Sequence, residues 1–250
     1  MNPAHTGGDE LVLDTLADLL DEFKLKLPVA GGCASSEIRG RGRVSLNGLV
    51  YDDSSIFILL QLEKGRLQVF KENIFQPLPQ RFRVTRANAA KHILYELDGH
   101  PAAEVLSHAL KVEPDLLVQE LVKHPLGRIK QGNEIFICDC SAVHPDGSIS
   151  TLCRIFNQTQ VSLLELRPYQ TVLQETLAQV NAALPRPDFS LIFNCYGRTK
   201  MFLDQGWLPN FTSQLDAGLG LYAGITSHGE ELDTIHLNLT MLIVAFKEDL

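Results

Sequence analysis

The chain has 250 residues, 45% of them hydrophobic and 21% charged, with a formal net charge of −8 at neutral pH. This is ordinary for a globular protein with one large core or two smaller ones. The acidic balance argues against nucleic acid and anionic membrane as partners, because both repel a negative surface.

No apolar run is long enough for a membrane-spanning helix. Residues 1–10 carry neither the basic region nor the apolar core of a secretory signal. Five cysteines, most of them inside apolar stretches, do not make a dense disulfide framework. They read as reduced thiols, and the expected compartment is cytoplasmic.

A first helix is predicted over 9–26, where Leu13, Leu16, Leu20 and Phe23 recur at helical spacing. Leu27 to Gly32 reads as a short strand, followed by a glycine-rich loop from Cys33 to Gly42. Arg39, Arg41 and Arg43, interleaved with Gly40 and Gly42, read as a loop rather than an anion site. Val44 to Tyr51 is a hairpin turning at Asn47-Gly48. Ser55–Leu62 and Arg66–Glu72 are predicted to pair around Lys64-Gly65. Strands follow at Arg81–Thr85 and His92–Leu97, with a turn at Asp98-Gly99. Helices follow from Pro101 to about 111 and from Pro114 to about His124. Three strands are expected between Glu134 and Arg167. A helix begins at Pro168 and ends at Pro185 and Pro187. Ser190–Asn194 is a strand, 199–205 one or two helical turns, and the chain closes on strands near 220–226 and 236–246. No internal repeat is present. Hairpins outnumber βαβ units, so the fold class is α+β: antiparallel or mixed sheets covered by helices, in a layered αββα arrangement.

Cys138, Cys140, His144 and Cys153 have spacings that zinc could use. A two-residue turn at Asp146-Gly147 sets Cys140 opposite Cys153 and Asp139 opposite Arg154, with Cys138 on the cysteines' face. Paired knuckles are missing, so these thiols read as core, and no metal or other cofactor is expected. Cys195 ends a strand in Asn194-Cys195-Tyr196-Gly197-Arg198. A helix start lowers a thiol pKa, so a cysteine nucleophile based on Cys195 and His228 is a rival reading. The segment lacks a hydrolase elbow, and nucleotide loops are absent, so catalysis is not the expectation. Gly224 to Glu230 is a glycine-flanked polar segment at a strand end, suited to close approach by a ligand. His5, His92, His100, His108 and His236 have no partner pattern and read as surface or packed residues.

Several segments resemble the FIST domain of signal-transduction proteins. They are Leu97-Asp98-Gly99-His100-Pro101-Ala102, Pro125-Leu126-Gly127, Cys195-Tyr196-Gly197-Arg198 and His228-Gly229-Glu230, with Pro28 to Ala34 and Asn47-Gly48 upstream. The resemblance divides the chain into 1–80, part of the N-terminal region, and 81–250, the C-terminal region. In the family the N-terminal part begins far upstream of the Gly-Gly segment. Its first half is therefore expected to be missing, which would leave a sheet edge near 28–32 and 44–62 open to a second copy.

The resemblance implies a sensory module for a small polar ligand such as an amino acid. The candidate binding residues are Gly32, Cys33, Ser35, Asn194, Cys195, Gly197, Arg198, Ser227, His228, Gly229 and Glu230. Loop amides would hold a carboxylate, and Arg198 or Glu230 would meet charged ends. The partners expected are that ligand and either a homodimer mate or a signalling protein. An interaction or adaptor module is the alternative.

Overall fold

The computed structural model of the chain describes residues 8–34, 42–130 and 134–248. Helix makes up 32% and strand 37% of the described residues, which places the chain in the α+β class that the hairpin pattern predicts. The described residues form two compact units. Residues 11–34, 42–73 and 168–248 make the first; 8–10, 74–130 and 134–167 make the second. The division expected at 80/81 falls inside the second unit.

The chain opens on α1 (Gly8–Glu22), β1 (Ala30–Gly32), β2 (Arg43–Leu46), β3 (Leu49–Asp52) and β4 (Arg66–Asn73). The middle holds β5 (Phe75–Pro77), β6 (Phe82–Asn88), β7 (Ile93–Leu97), β8 (His100–Pro101), α2 (Ala102–Leu110) and α3 (Leu117–Lys123). Then come β9 (Leu126–Ile129), β10 (Ile135–Cys138), β11 (Cys140–Val143), β12 (Ile149–Thr151) and β13 (Gln160–Leu166). The last third runs α4 (Tyr169–Ala183), β14 (Phe189–Cys195), α5 (Tyr196–Asp204), α6 (Leu208–Leu219), β15 (Tyr222–Ser227), β16 (Glu230–Leu232), β17 (Ile235–Leu237) and β18 (Thr240–Lys247).

In the first unit a four-stranded sheet has the order β15-β14-β18-β4. The β14–β15 pair is parallel, and its other ladders are antiparallel. Helices α4 and α6 pack together, and α4 lies on β4. A separate three-stranded sheet has the order β1-β16-β17. Hairpin β2–β3 turns at Asn47 and Gly48, at φ 52° and 79°, as the sequence predicts.

The pairing expected for 55–62 with 66–72 does not form. Residues 54–62 are not strand, and Phe57, Ile58, Leu59 and Leu60 are exposed. Strand β4 pairs instead with β18, from Arg66↔Lys247 to Asn73↔Thr240. Gly65 is therefore not a hairpin turn. A Cβ there would stand 2.4 Å from the Lys247 carbonyl oxygen, so the glycine lets β4 start against the end of β18.

In the second unit, β10-β9-β13-β6-β7-β12-β11 lie in sequence across one sheet, with β5 beside β13 and β8 beside β7. Leu106 of α2, and Leu117 and Leu121 of α3, join Phe82, Val84 and Leu94 in its core.

Cys138, Cys140 and Cys153 belong to the same core, but their register differs from the expectation. The turn is longer than two residues: the His144 N–H bonds the Ser148 carbonyl and the Gly147 N–H bonds that of His144. A bulge between Cys140 and Ala142 adds to the shift. Cys140 therefore faces Thr151, and the Leu152 N–H bonds the Asp139 carbonyl. The three thiols lie near backbone carbonyls, at 3.8–3.9 Å.

His92 is not a lone packed ring. It is buried with its Nε2 2.7 Å from Glu10 Oε2, and Glu10 Oε1 accepts the Arg154 N–H.

Candidate functional site

The predicted residues that fall among the described ones lie in the first unit and meet at the carboxyl ends of β14 and β15. Cys195 and Ser227 are partners at the last rung of this parallel pair. Strand β14 runs directly into α5, and α5 and α6 carry the chain back to β15. Carboxyl ends of parallel strands are where open α/β sheets place ligands, because the following helix starts leave backbone donors there.

Strand β1 joins this point through β16. Gly32 faces Glu230, the Cys33 N–H bonds the Gly229 carbonyl, and the His228 N–H bonds the Cys33 carbonyl. A Cβ on Gly32 would lie 2.6 Å from Ser227 Cβ and 3.2 Å from the Phe193 ring, which explains the small residue there. His228 stacks on Tyr196, with ring centroids 4.7 Å apart. Gly197 sits against Leu239. Ser35 lies outside the described residues.

The charged members turn inward. Glu230 is fully buried. Its Oε1 accepts the Ser227 hydroxyl at 2.8 Å, and its Oε2 accepts the Thr240 hydroxyl at 2.7 Å and the Thr240 N–H at 3.2 Å. Burial raises this carboxyl from its usual 4.5 to about 7, against the pull of those hydrogen bonds and of His236.

Arg198 is 1% exposed and paired with Glu72, itself 1% exposed. Burial lowers its guanidinium to about 9 while Glu230 works the other way, so it is cationic at neutral pH. Its Nε and Nη1, with Glu72 Oε2 and Asn194 Oδ1, are buried and make no hydrogen bond among the described residues. The Asn194 amide Nδ2 donates to Thr199.

Cys195 is 6% exposed, and its sulfur accepts the Leu239 N–H at 3.3 Å. Burial first, then the neighbouring Glu230, push the thiol up to about 12; the Leu239, Gly197 and Arg198 N–H groups pull the other way and lose. A cysteine nucleophile acts as thiolate, and this environment holds the proton on. The same unit has a cleft of about 330 Å³ lined by Leu20, Asp21, Leu25, Leu27, Val29 and Asp233. None of these is a predicted site residue.

Glu72 and Thr240 escaped the sequence reading. Glu72 had a legible signal, since it shares the inward face of β4 with Phe70. Thr240 lies directly after the left-handed residue Leu239, at the start of a buried strand, and nothing in the sequence marks it as a partner for Glu230.

The fold and this cluster define an α+β module that concentrates buried polar groups at one pair of strand ends. The FIST N domain model matches residues 5–100, and the FIST C domain model matches 102–231. The chain belongs to the FIST family, whose domains are signal-transduction sensor domains and in general not enzymes. No curated protein and no solved structure matches it. No helix among the described residues is long and apolar enough to cross a membrane.

Proposed function

We propose that this chain is a sensory module that binds a small polar molecule carrying a carboxylate, an amino acid being the simplest example. Buried Arg198 carries the reading, because two of its donors make no hydrogen bond among the described residues. A buried charged donor without a partner costs well over the roughly 1 kcal/mol of an ordinary hydrogen bond. A carboxylate oxygen accepting from Nε–H or from Nη1 would remove part of that cost through a charge-assisted hydrogen bond. Glu72 Oε2 and Asn194 Oδ1, buried acceptors also in need of donors, suit an ammonium group. Arg198 is enclosed, so binding would require local opening near α5, and order gained on closure is a natural signal. Cys195, Ser227 and Glu230 would shape the site without chemistry.

The test is thermal unfolding of metal-free protein against amino acids and small carboxylates. A ligand of the folded state raises the melting temperature with concentration. At least one carboxylate should do so, and Arg198→Lys, which keeps charge but not the fork, should abolish the shift. If no carboxylate stabilises the protein, the reading fails.

A second reading, an interaction or adaptor module, is favoured by a different observation. Leu49, Val50, Phe57, Ile58, Leu59 and Leu60 expose 59–82% of their surface within one stretch of chain. Exposed apolar surface in quantity marks protein contacts.

A further inference from the structure

We propose that Cys33, Glu231 and His236 form a binding site for a divalent transition-metal ion, with zinc the ion best suited to the donors. The β1-β16-β17 sheet sets these residues on one face. Gly31 faces Glu231, and Glu231 faces His236. Directly opposed residues share a face, and Cys33, two positions beyond Gly31, returns to it.

The donors converge. Cys33 Sγ is 3.0 Å and His236 Nδ1 2.8 Å from the same oxygen, Glu231 Oε1. All the donor atoms lie within 4.8 Å of one another. The second carboxylate oxygen, Glu231 Oε2, is buried and has no hydrogen-bond partner among the described residues.

The surroundings are built to hold the histidine. Its ring lies on Gly229, at φ 103°, where a Cβ would come within 2.2 Å of the ring. Any side chain at 229 would displace it. Its far nitrogen, Nε2, is 3.2 Å from the Asn238 amide nitrogen. In the present arrangement Nδ1–H donates to Glu231 and Nε2 accepts from Asn238. Turning the Asn238 amide over presents its oxygen to an Nε2–H and frees the Nδ1 lone pair for an ion. A ligating histidine is commonly oriented by such a partner on its other nitrogen.

Thiolate, imidazole and carboxylate together are a zinc donor set, and three protein donors leave a coordination position for water or another ligand. On binding, the Cys33 proton passes to solvent and sulfur becomes a ligand, so affinity rises with pH. The site uses none of the unpaired atoms assigned above to the small ligand. Cys138, Cys140 and Cys153, the thiols that the zinc spacing singled out, are core residues of the other unit.

The experiment uses the full chain without a histidine tag, stripped with chelator and titrated with Co²⁺ and then Zn²⁺. One Co²⁺ per chain should give the visible bands of a tetrahedral ion and a thiolate-to-cobalt charge-transfer band, both displaced by Zn²⁺. Cys33→Ser should remove the charge-transfer band. Glu231→Gln and His236→Gln should weaken Zn²⁺ binding roughly tenfold or more, and so should Asn238→Ala, which removes no ligand. Circular dichroism in chelator confirms that each variant is folded, and Asn238→Ala decides if a ligand variant is not. Absence of the bands overturns the site. So does a charge-transfer band that survives Cys33→Ser but is lost in Cys140→Ser, or Zn²⁺ affinity unchanged across the folded variants.

Discussion

Glu230 is fully buried, and its charge must be balanced by two hydroxyls, one N–H and the nearby His236. Its folded pKa of about 7 lies above the 4.5 it recovers on unfolding. Between these values the folded state holds a proton that the unfolded state has released. The stabilisation is therefore complete below about pH 4.5 and is lost as pH rises through about 7, a swing on the order of 3 kcal/mol. Asp139, which burial raises from 3.8 to about 6, acts in the same direction, so wild type alone does not isolate Glu230. Glu230→Gln does. Urea unfolding near pH 5 and near pH 8 should show the variant gaining on wild type at the higher pH by up to about 3 kcal/mol. A constant difference across this range would show that Glu230 is ionised at both.

At the level of elements, the sheet of the first unit depends on β4 reaching β18 across most of the sequence. Local chain chemistry permits this at Gly65, at φ 107° and with no room for a Cβ beside Lys247. Gly65→Ala should destabilise the protein by about 1–3 kcal/mol, the range for a backbone conformation reserved to glycine. Hydrogen exchange should show the loss concentrated in 66–68 and 245–247, with the core of the second unit unchanged. Gly48→Ala in the β2–β3 turn provides the contrast. A Cβ there meets nothing within 4 Å, so its cost is conformational alone and should stay local to the hairpin. Equal protection of 66–68 in Gly65→Ala and wild type would refute the assignment.

At the scale of the whole molecule, nine of the exposed large apolar side chains among the described residues fall between Leu46 and Leu62. Apolar area removed from water is worth roughly 25 cal/mol per Å², so association that covers Phe57 to Leu60 is favourable. Two-fold pairing is the commonest closed arrangement for identical chains. Light scattering over a dilution series should show a mass rising above the 27.8 kDa of one chain. A variant with Ile58→Ser and Leu59→Ser should stay near that mass and keep its melting temperature. A single-chain mass at all concentrations for wild type would reject self-association.

The sequence alone determined what depends on neighbours along the chain. Helical spacing marked α1, Pro101 and Pro114 opened the helices that became α2 and α3, and Pro168, Pro185 and Pro187 bounded α4. Asn47-Gly48 and Asp98-Gly99 marked turns, because left-handed backbone is a property of those residues themselves. Helix α6 was legible and missed: Leu208, Phe211, Leu215 and Leu219 form its stripe, with Pro209 in the first turn. The short motifs likewise pointed to Cys195, Ser227 and Glu230 without showing what they touch. Only the tertiary structure decided their partners. Arg198 meets Glu72, 126 positions away, and Cys33 meets Glu231 and then His236 across three strands. It also turned Arg198 and Glu230 inward and set Cys140 against Thr151. Strand partners, bulges and burial arise from packing distant segments together, and a desolvated charge takes its pKa from that packing rather than from the residues beside it in sequence.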